Sequence, residues 1–194
     1  MITIEQAREW YPEEDAVHGF DHVLRVLAMA ERLGRMEGAD LEIVQAAVLL
    51  HDAQPGEGQV GEAQRANHHL NSAEFAGRLL RQEGWAEERI AAVQHCIRAH
   101  RFRDEREQPE TLEAKVLFDA DKLDAIGAIG AARAVAYAAQ HGQPAYAQPS
   151  ARFLESGQGE VGEVHSAYHE FVFKLARLKD RLYTQSARAI GEAR

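Results

Sequence analysis

The stretch Gln45–Gly56, QAAVLLHDAQPG, changes within a few residues from an apolar run to two polar side chains, an imidazole and a carboxylate. An apolar run that enters a hydrophobic core should not end on an imidazole and a carboxylate unless something satisfies them, because burying unpaired polar groups costs free energy. Pro55 and Gly56 stop any helix soon afterwards. The stretch therefore raises the question of what His51 and Asp52 bind.

The composition around this stretch is that of a soluble globular protein, with 45% hydrophobic and 27% charged residues. A chain of 194 residues is long enough for one substantial core and short for two independent domains. No apolar run approaches the roughly 20 residues that span a bilayer, and the N-terminus lacks a secretory pattern. The single cysteine, Cys96, fits a reducing compartment. We expect a cytoplasmic protein without membrane contact.

The formal net charge of −9 argues against a binder of nucleic-acid polymers, whose affinity depends on basic patches that face phosphates. An acidic chain can still bind a small phosphate ester if it concentrates a few arginines or lysines, or a metal ion, at one place. The charge therefore favours small phosphorylated substrates over polymers.

Apolar residues recur at helical spacing on both sides of the opening stretch. Nowhere is there a sustained alternating run of β-branched residues, so we predict an all-α bundle. Residues 53–66, rich in glycine, are expected to form an exposed loop. A capped helix is predicted to open the chain and end near Pro12, and further helices are predicted over 21–37, 41–51, 71–83 and through Ile90 to His100. An alanine-rich segment, 111–140, follows. After a connection near 142–162, a last helix is predicted to run to the C-terminus.

Two further segments of the sequence carry clusters of histidine or aspartate side chains. His18 and His22 are four residues apart, which places both imidazoles on one face if the helix begins that early. Asp119, Asp121 and Asp124 lie in an otherwise apolar segment, and an unpaired buried carboxylate costs several kcal/mol. Mixed imidazole and carboxylate ligands suit a divalent first-row metal with open positions for water or substrate.

The ordered pattern His…His-Asp…Asp resembles the HD-domain superfamily of metal-dependent phosphohydrolases. Several segments resemble its small single-domain bacterial branch, over about residues 16–190, and imply one HD domain that spans 1–194. These segments are HGFDHVLRV (18–26), AAVLLHD (46–52), AVQHCIRAH (92–100), DADKLDAIGAIGAAR (119–133) and FVFKLARLKDRLYTQSARAI (171–190).

The resemblance implies specific roles for residues at the matching positions. The cofactor it implies is a divalent cation, with Mn²⁺ preferred and Fe, Ni, Co, Zn or Mg as alternatives. The implied metal ligands are His22, His51, Asp52 and Asp121. Catalytic roles are expected for His51, Asp52, His18 and Lys122. Contacts to the substrate phosphate are expected from Arg25, Lys122, Lys174 and His95.

The three aspartates of the DADKLD segment cannot all face one way on a helix. Asp121 and Asp124 share a face, whereas Asp119 lies about 200° from Asp121. The family pattern Ala-Asp-Lys-Leu independently selects Asp121 as the ligand. We expect Asp119 and Asp124 to lie behind the ligands or on the substrate side.

The loop after Asp52 departs from the family, because many relatives carry further acidic residues where this chain has Gln54. Glu57 and Glu62 are possible substitutes, with solvated loop positions as the preferred interpretation. The remaining histidines are interpreted as exposed or solvated, except His95 and His100, which resemble family histidines and are expected mainly near the ligands or in structural roles. Those interpreted as exposed are His68, His69, His165 and His169.

The resemblance implies hydrolysis of a small phosphate ester or anhydride by attack of metal-bound water, with a nucleotide as the favoured substrate and a slight preference for the anhydride. Two alternatives stay open. One is a catalytically silent metal-dependent nucleotide-binding or sensory module, and the other is a set of structural polar residues that bind no metal. The long terminal helix is also compatible with a homodimer.

Overall fold

A computed structural model describes residues 2–11, 19–53, 62–101 and 107–194, with only the backbone described for 62–67. Within these ranges the chain is helical and contains no strand, which confirms the all-α prediction. The α-helices are α1 Ile4–Arg8, α2 Phe20–Glu37, α3 Leu41–Leu50, α4 Glu62–Gln82, α5 Glu87–Ala99, α6 Leu112–Asp124, α7 Gly127–Gln140, α8 Ala151–Ser156, α9 Ala167–Glu170, α10 Ala176–Leu178 and α11 Gln185–Glu192.

The ends of the first three helices follow the signals in the sequence. In the capping box of α1, Thr3 Oγ1 accepts a hydrogen bond from the Gln6 amide, and Gln6 Oε1 accepts one from the Thr3 amide. Gly38 ends α2 in the left-handed conformation at φ 81°, which glycine adopts without steric cost. The Asp40 carboxylate caps α3 by accepting the amide protons of Glu42 and Ile43.

Five helices, α2 to α6, form the main core. α2 packs against α3 and α6, α5 packs against α3, α4 and α6, and their contacts bury an apolar cluster. Fully buried side chains of this cluster include Leu33, Leu50, Leu80, Ile97 and Leu117. This packing brings the start of α2, the end of α3 and the end of α6 to one place in the bundle, where the predicted ligands lie.

The alanine-rich segment 111–140 forms two helices, α6 and α7. The chain turns at Ala125 and Ile126, and Gly127 begins α7 with φ 70°. A Cβ on Gly130 would overlap the carbonyl group of Ala125, so only glycine lets α7 fold back this closely on the preceding turn. The break ends α6 directly after Asp124.

The prediction of one continuous helix at the C-terminus was wrong. The α-helical conformation is interrupted twice between α9 and α11. The interruptions are a π-helical segment, Phe171–Leu175, and a 3₁₀ turn, Lys179–Arg181. Leu182 is extended at ψ 139°, and the amides of Tyr183 and Thr184 donate to the Asp119 carboxylate. These bonds to α6 replace helical hydrogen bonds, so α11 starts anew at its Thr184 cap.

Two other expectations need correction. The backbone is helical from Glu62, within the predicted loop 53–66, because residues 62–66 are mostly good helix formers. His169 is buried rather than solvated: its Nδ1 lies 2.8 Å from Ser166 Oγ and its Nε2 lies 3.0 Å from Glu163 Oε1.

Among the described residues there is no helix with the length and apolar character that a membrane span requires.

Candidate metal centre

Three of the four predicted ligands form one group, and the fourth, Asp121, adjoins it through His22. His22 lies in the first turn of α2, His51 and Asp52 directly follow α3, and Asp121 lies in the last turn of α6. His22 Nε2 is 3.4 Å from Asp121 Oδ1, and His51 Nε2 is 3.4 Å from Asp52 Oδ2. One potential ligand atom each from His22, His51 and Asp52 lie within 4.8 Å of one another.

The His51 ring is oriented by the helix that precedes it. Its Nδ1 lies 2.7 Å from the Val48 carbonyl, so Nδ1–H donates and Nε2 faces Asp52. The ring is fully buried, and Nε2 has no hydrogen-bond partner among the described residues. Buried polar atoms are nearly always satisfied, so this nitrogen fits the role of a cation ligand.

Asp52 presents a second such atom. Its Oδ1 is buried and forms no bond of hydrogen-bond geometry with the described residues, although His68 Nε2 lies 3.2 Å away and His100 Nε2 lies 3.7 Å away. Burial raises the pKa of this carboxyl, but the imidazoles of His51 and His68 outweigh burial and hold the pKa well below its usual range. Asp52 is therefore a carboxylate, as a cation ligand must be.

Asp52 also belongs to a second group of donor atoms, with His68 and His100. The prediction that His68 and His69 are exposed was wrong, because both lie within α4, where His69 is buried and the His68 side chain is only 26% exposed. The sequence held one signal for this group: His100 ends the apolar helix α5. Burial lowers the pKa of His100 to about 3, so its ring is neutral.

His22 lies between two carboxylates of α6. Its Nε2 faces Asp121, and its Nδ1 lies 2.8 Å from Asp124 Oδ2. Burial lowers the pKa of His22, but hydrogen bonds to Asp121 and Asp124 outweigh burial and raise it. Asp124 thus orients the ring so that Nε2 faces the cluster, as carboxylates beside metal-binding histidines commonly do.

Asp119 lies on the other side of α6, away from the cluster. Its two oxygens accept hydrogen bonds from the Tyr183 amide, the Thr184 amide and the Thr184 hydroxyl. The expectation that Asp119 lies behind the ligands or on the substrate side was therefore wrong. The helical register that separates it from Asp121 and Asp124 was right.

The two cations beside the predicted ligands occupy different surroundings. Lys122 is buried, pairs with Asp121 through Nζ, and lies 5.0 Å from the centre of the Phe118 ring. Arg25 pairs with Asp21 at 2.6 Å and, through Nε, with Asp124 Oδ1 at 2.8 Å. Lys122 adjoins the cluster directly, whereas Arg25 lies behind His22, on the Asp124 side.

The other predicted substrate contacts lie elsewhere. Both His95 nitrogens are engaged at the loop after α5: Nδ1 lies 2.7 Å from Glu107 Oε1, and Nε2 accepts the Glu110 amide proton. Lys174 pairs with Glu170 in a segment that packs on α7, α9 and α10. The structure brings neither side chain into the cluster. His18, Gln54 and Glu57 lie outside the described residues, as does the side chain of Glu62.

Comparisons with known proteins agree with this geometry. The family model of the HD domain matches residues 19–126. The uncharacterized protein YpgQ of Bacillus subtilis is 35% identical over 98% of this chain and 85% of its own length.

Solved structures show the same similarity. Bacillus subtilis YpgQ in complex with ADP has a TM-score of 0.71 at 33% identity, covering 99% of this chain and 90% of that one. A Lactobacillus plantarum protein has a TM-score of 0.75 at 29% identity, covering 100% and 92%. An HD-superfamily hydrolase of Bacillus thuringiensis has a TM-score of 0.65 at 29% identity, covering 98% and 88%.

Proposed function

Because the chain belongs to the HD-domain superfamily of metal-dependent phosphohydrolases, we propose that it hydrolyses a phosphate ester or anhydride of a small nucleotide. The cation that this reaction needs would be held by His22, His51, Asp52 and Asp121. Mn²⁺ is the first choice, since mixed nitrogen and oxygen donors accept several divalent metals and do not select one.

One observation carries this proposal. His51 Nε2 and Asp52 Oδ1 are both buried, and neither has a hydrogen-bond partner among the described residues. Leaving two such atoms unsatisfied costs roughly 1–3 kcal/mol each. A bound cation would remove this cost, and the ionised Asp52 carboxylate is in the protonation state that ligates.

When bound, a divalent cation supplies Lewis-acid activation of water and neutralises phosphoryl charge. The chain's own residues do the rest. Val48 and Asp124 fix the orientation of the His51 and His22 rings. Lys122 Nζ, held beside Asp121, offers a cationic donor to a phosphate oxygen at the edge of the cluster.

His68 and His100 flank Asp52 from the opposite side. His68 favours the ionised form of that carboxylate, and the neutral ring of His100 lies beside it.

A nucleotide is the proposed substrate class because a relative at 33% identity, YpgQ, has been crystallised in complex with ADP. Of the two bond types, the anhydride is favoured, so release of pyrophosphate or phosphate from nucleoside triphosphates is the expected reaction. The acidity of the chain supports a small substrate over a polymer.

The test is a panel of ribo- and deoxyribonucleotides with Mn²⁺, in which phosphate and pyrophosphate release are measured separately. We expect metal-dependent turnover that His51→Ala abolishes. His141→Ala, a change at the exposed imidazole that directly follows α7, should leave turnover unchanged. Saturable nucleotide binding without turnover would instead support the silent binding module. Turnover of non-nucleotide esters alone would contradict the substrate class.

A further inference from the structure

A cleft of about 360 Å³ opens on the side of His22 that faces Asp124. Three arginines line it: Arg25 and Arg32 from α2, and Arg194 from the end of the chain. Met29 and Ile129 provide apolar walls, and the buried Asp124 also lines the cleft. We call this feature the arginine cleft. Its volume lies in the range of small-molecule sites.

The arginine cleft concentrates three guanidinium groups in a chain whose net charge is −9. Arg25 is balanced by Asp21 and Asp124. Arg32 and Arg194 form no ion pair with any residue in the described ranges, although Arg194 donates to the Leu123 carbonyl. Planar guanidinium groups match phosphate geometry and bind it through paired hydrogen bonds.

The walls of the arginine cleft favour an organic anion over a bare ion. The Ile129 side chain is 47% exposed, and Met29 is only partly buried, so an inorganic ion would leave this apolar surface in water. A phosphate ester with an apolar or aromatic body covers both the charges and the apolar wall.

We propose that the arginine cleft binds an organic phosphate at a site separate from the metal centre, and that its occupancy is transmitted to His22 through Asp124. Binding at this site does not depend on the proposed hydrolysis.

The link runs through hydrogen bonds that share one carboxylate. Asp124 Oδ2 accepts from His22 Nδ1 at 2.8 Å and from Arg133 at 2.7 Å, while Arg25 Nε donates to Oδ1 at 2.8 Å. A phosphate that draws Arg25 away leaves Asp124 less neutralised and a stronger acceptor for His22. A more strongly held Nδ1 proton makes Nε2 a better ligand, so phosphate and metal binding reinforce each other.

The test is titration of the Mg²⁺-loaded, ¹⁵N-labelled protein with phenylphosphonate, which has a phenyl body and cannot be hydrolysed at its carbon–phosphorus bond. The test variant is the double substitution Arg32→Gln and Arg194→Gln. The control is Arg35→Gln, a change at an exposed arginine of α2 that pairs with Glu31 outside the cleft. We expect amide shifts around Met29 and Ile129, and binding weakened about tenfold or more in the double variant only.

The link has its own measurement, the metal affinity from chelator competition with and without saturating phenylphosphonate. We expect about fivefold tighter metal binding in the wild type, and no change in the double variant or in Asp124→Asn.

Shifts confined to residues near His51 and Lys122, persisting in the double variant, would place the anion at the metal centre and overturn the separate site, as would no binding at all. An unchanged metal affinity in the saturated wild type would overturn the link. Neither result bears on whether the protein hydrolyses nucleotides.

Discussion

Asp119 and Asp121 are two residues apart in the chain, yet their carboxylates serve opposite sides of α6. Asp121 Oδ1 lies 3.4 Å from His22 Nε2, whereas Asp119 accepts the amide protons of Tyr183 and Thr184 at 2.8 and 2.7 Å. The rotation of about 100° per residue along a helix accounts for this separation. One carboxylate belongs to the cluster, and the other attaches the C-terminal segment to the core.

Because the two carboxylates have different partners, replacing each with asparagine should affect different properties of the protein. Asp121→Asn should lose most of the metal affinity, because the ligand loses its charge. Asp119→Asn should keep the metal but lower stability by about 1–3 kcal/mol, because an amide nitrogen cannot accept the bonds that the carboxylate accepts. Elemental analysis and thermal melting measure the two effects. Metal lost from Asp119→Asn but kept by Asp121→Asn would reverse the assignment.

Gly130→Ala should destabilise the protein by about 1–3 kcal/mol, because its Cβ meets the backbone carbonyl of Ala125 rather than a movable side chain. The matched control is Ala132→Ser on the exposed side of α7, where we expect little change. Denaturant unfolding followed by circular dichroism measures both. Equal stability of Gly130→Ala and the wild type would show that α7 does not need this close approach.

His95 lies in α5 and His100 directly follows it, but the two should respond differently to substitution by alanine. His100→Ala should weaken metal binding by about tenfold, because its Nε2 lies 3.7 Å from Asp52 Oδ1. His95→Ala should leave metal binding unchanged, because Glu107 and Glu110 engage its ring. Chelator competition measures the two affinities. Equal losses would contradict the separation of these histidines.

Much of the fold could be predicted from local signals. The capping box at Thr3, the left-handed Gly38 and the Asp40 cap are encoded within a few residues, so the ends of the early helices were predictable. The C-terminal breaks were not, because they depend on hydrogen bonds from Tyr183 and Thr184 to Asp119, more than sixty positions away.

The residues of the site also divide into those that could be predicted from the sequence and those that could not. His22, His51, Asp52 and Asp121 were predictable together because the order of motifs along the chain resembles a known family. His68 was not, because its role depends on how α4 places it 3.2 Å from Asp52, and the adjacent pair His68 and His69 carries no pattern of its own. The helical spacing of Asp121 and Asp124 did predict a shared face, and both carboxylates contact His22.

The most direct test of the account is the metal content of the purified protein, compared between the wild type and His51→Ala. The wild type should carry about one tightly bound divalent cation per chain. His51→Ala should carry none and melt at a lower temperature, since a bound cation favours the folded state by mass action. The His141→Ala control should match the wild type. A His51→Ala protein that is folded and retains its full metal content would contradict the central claim.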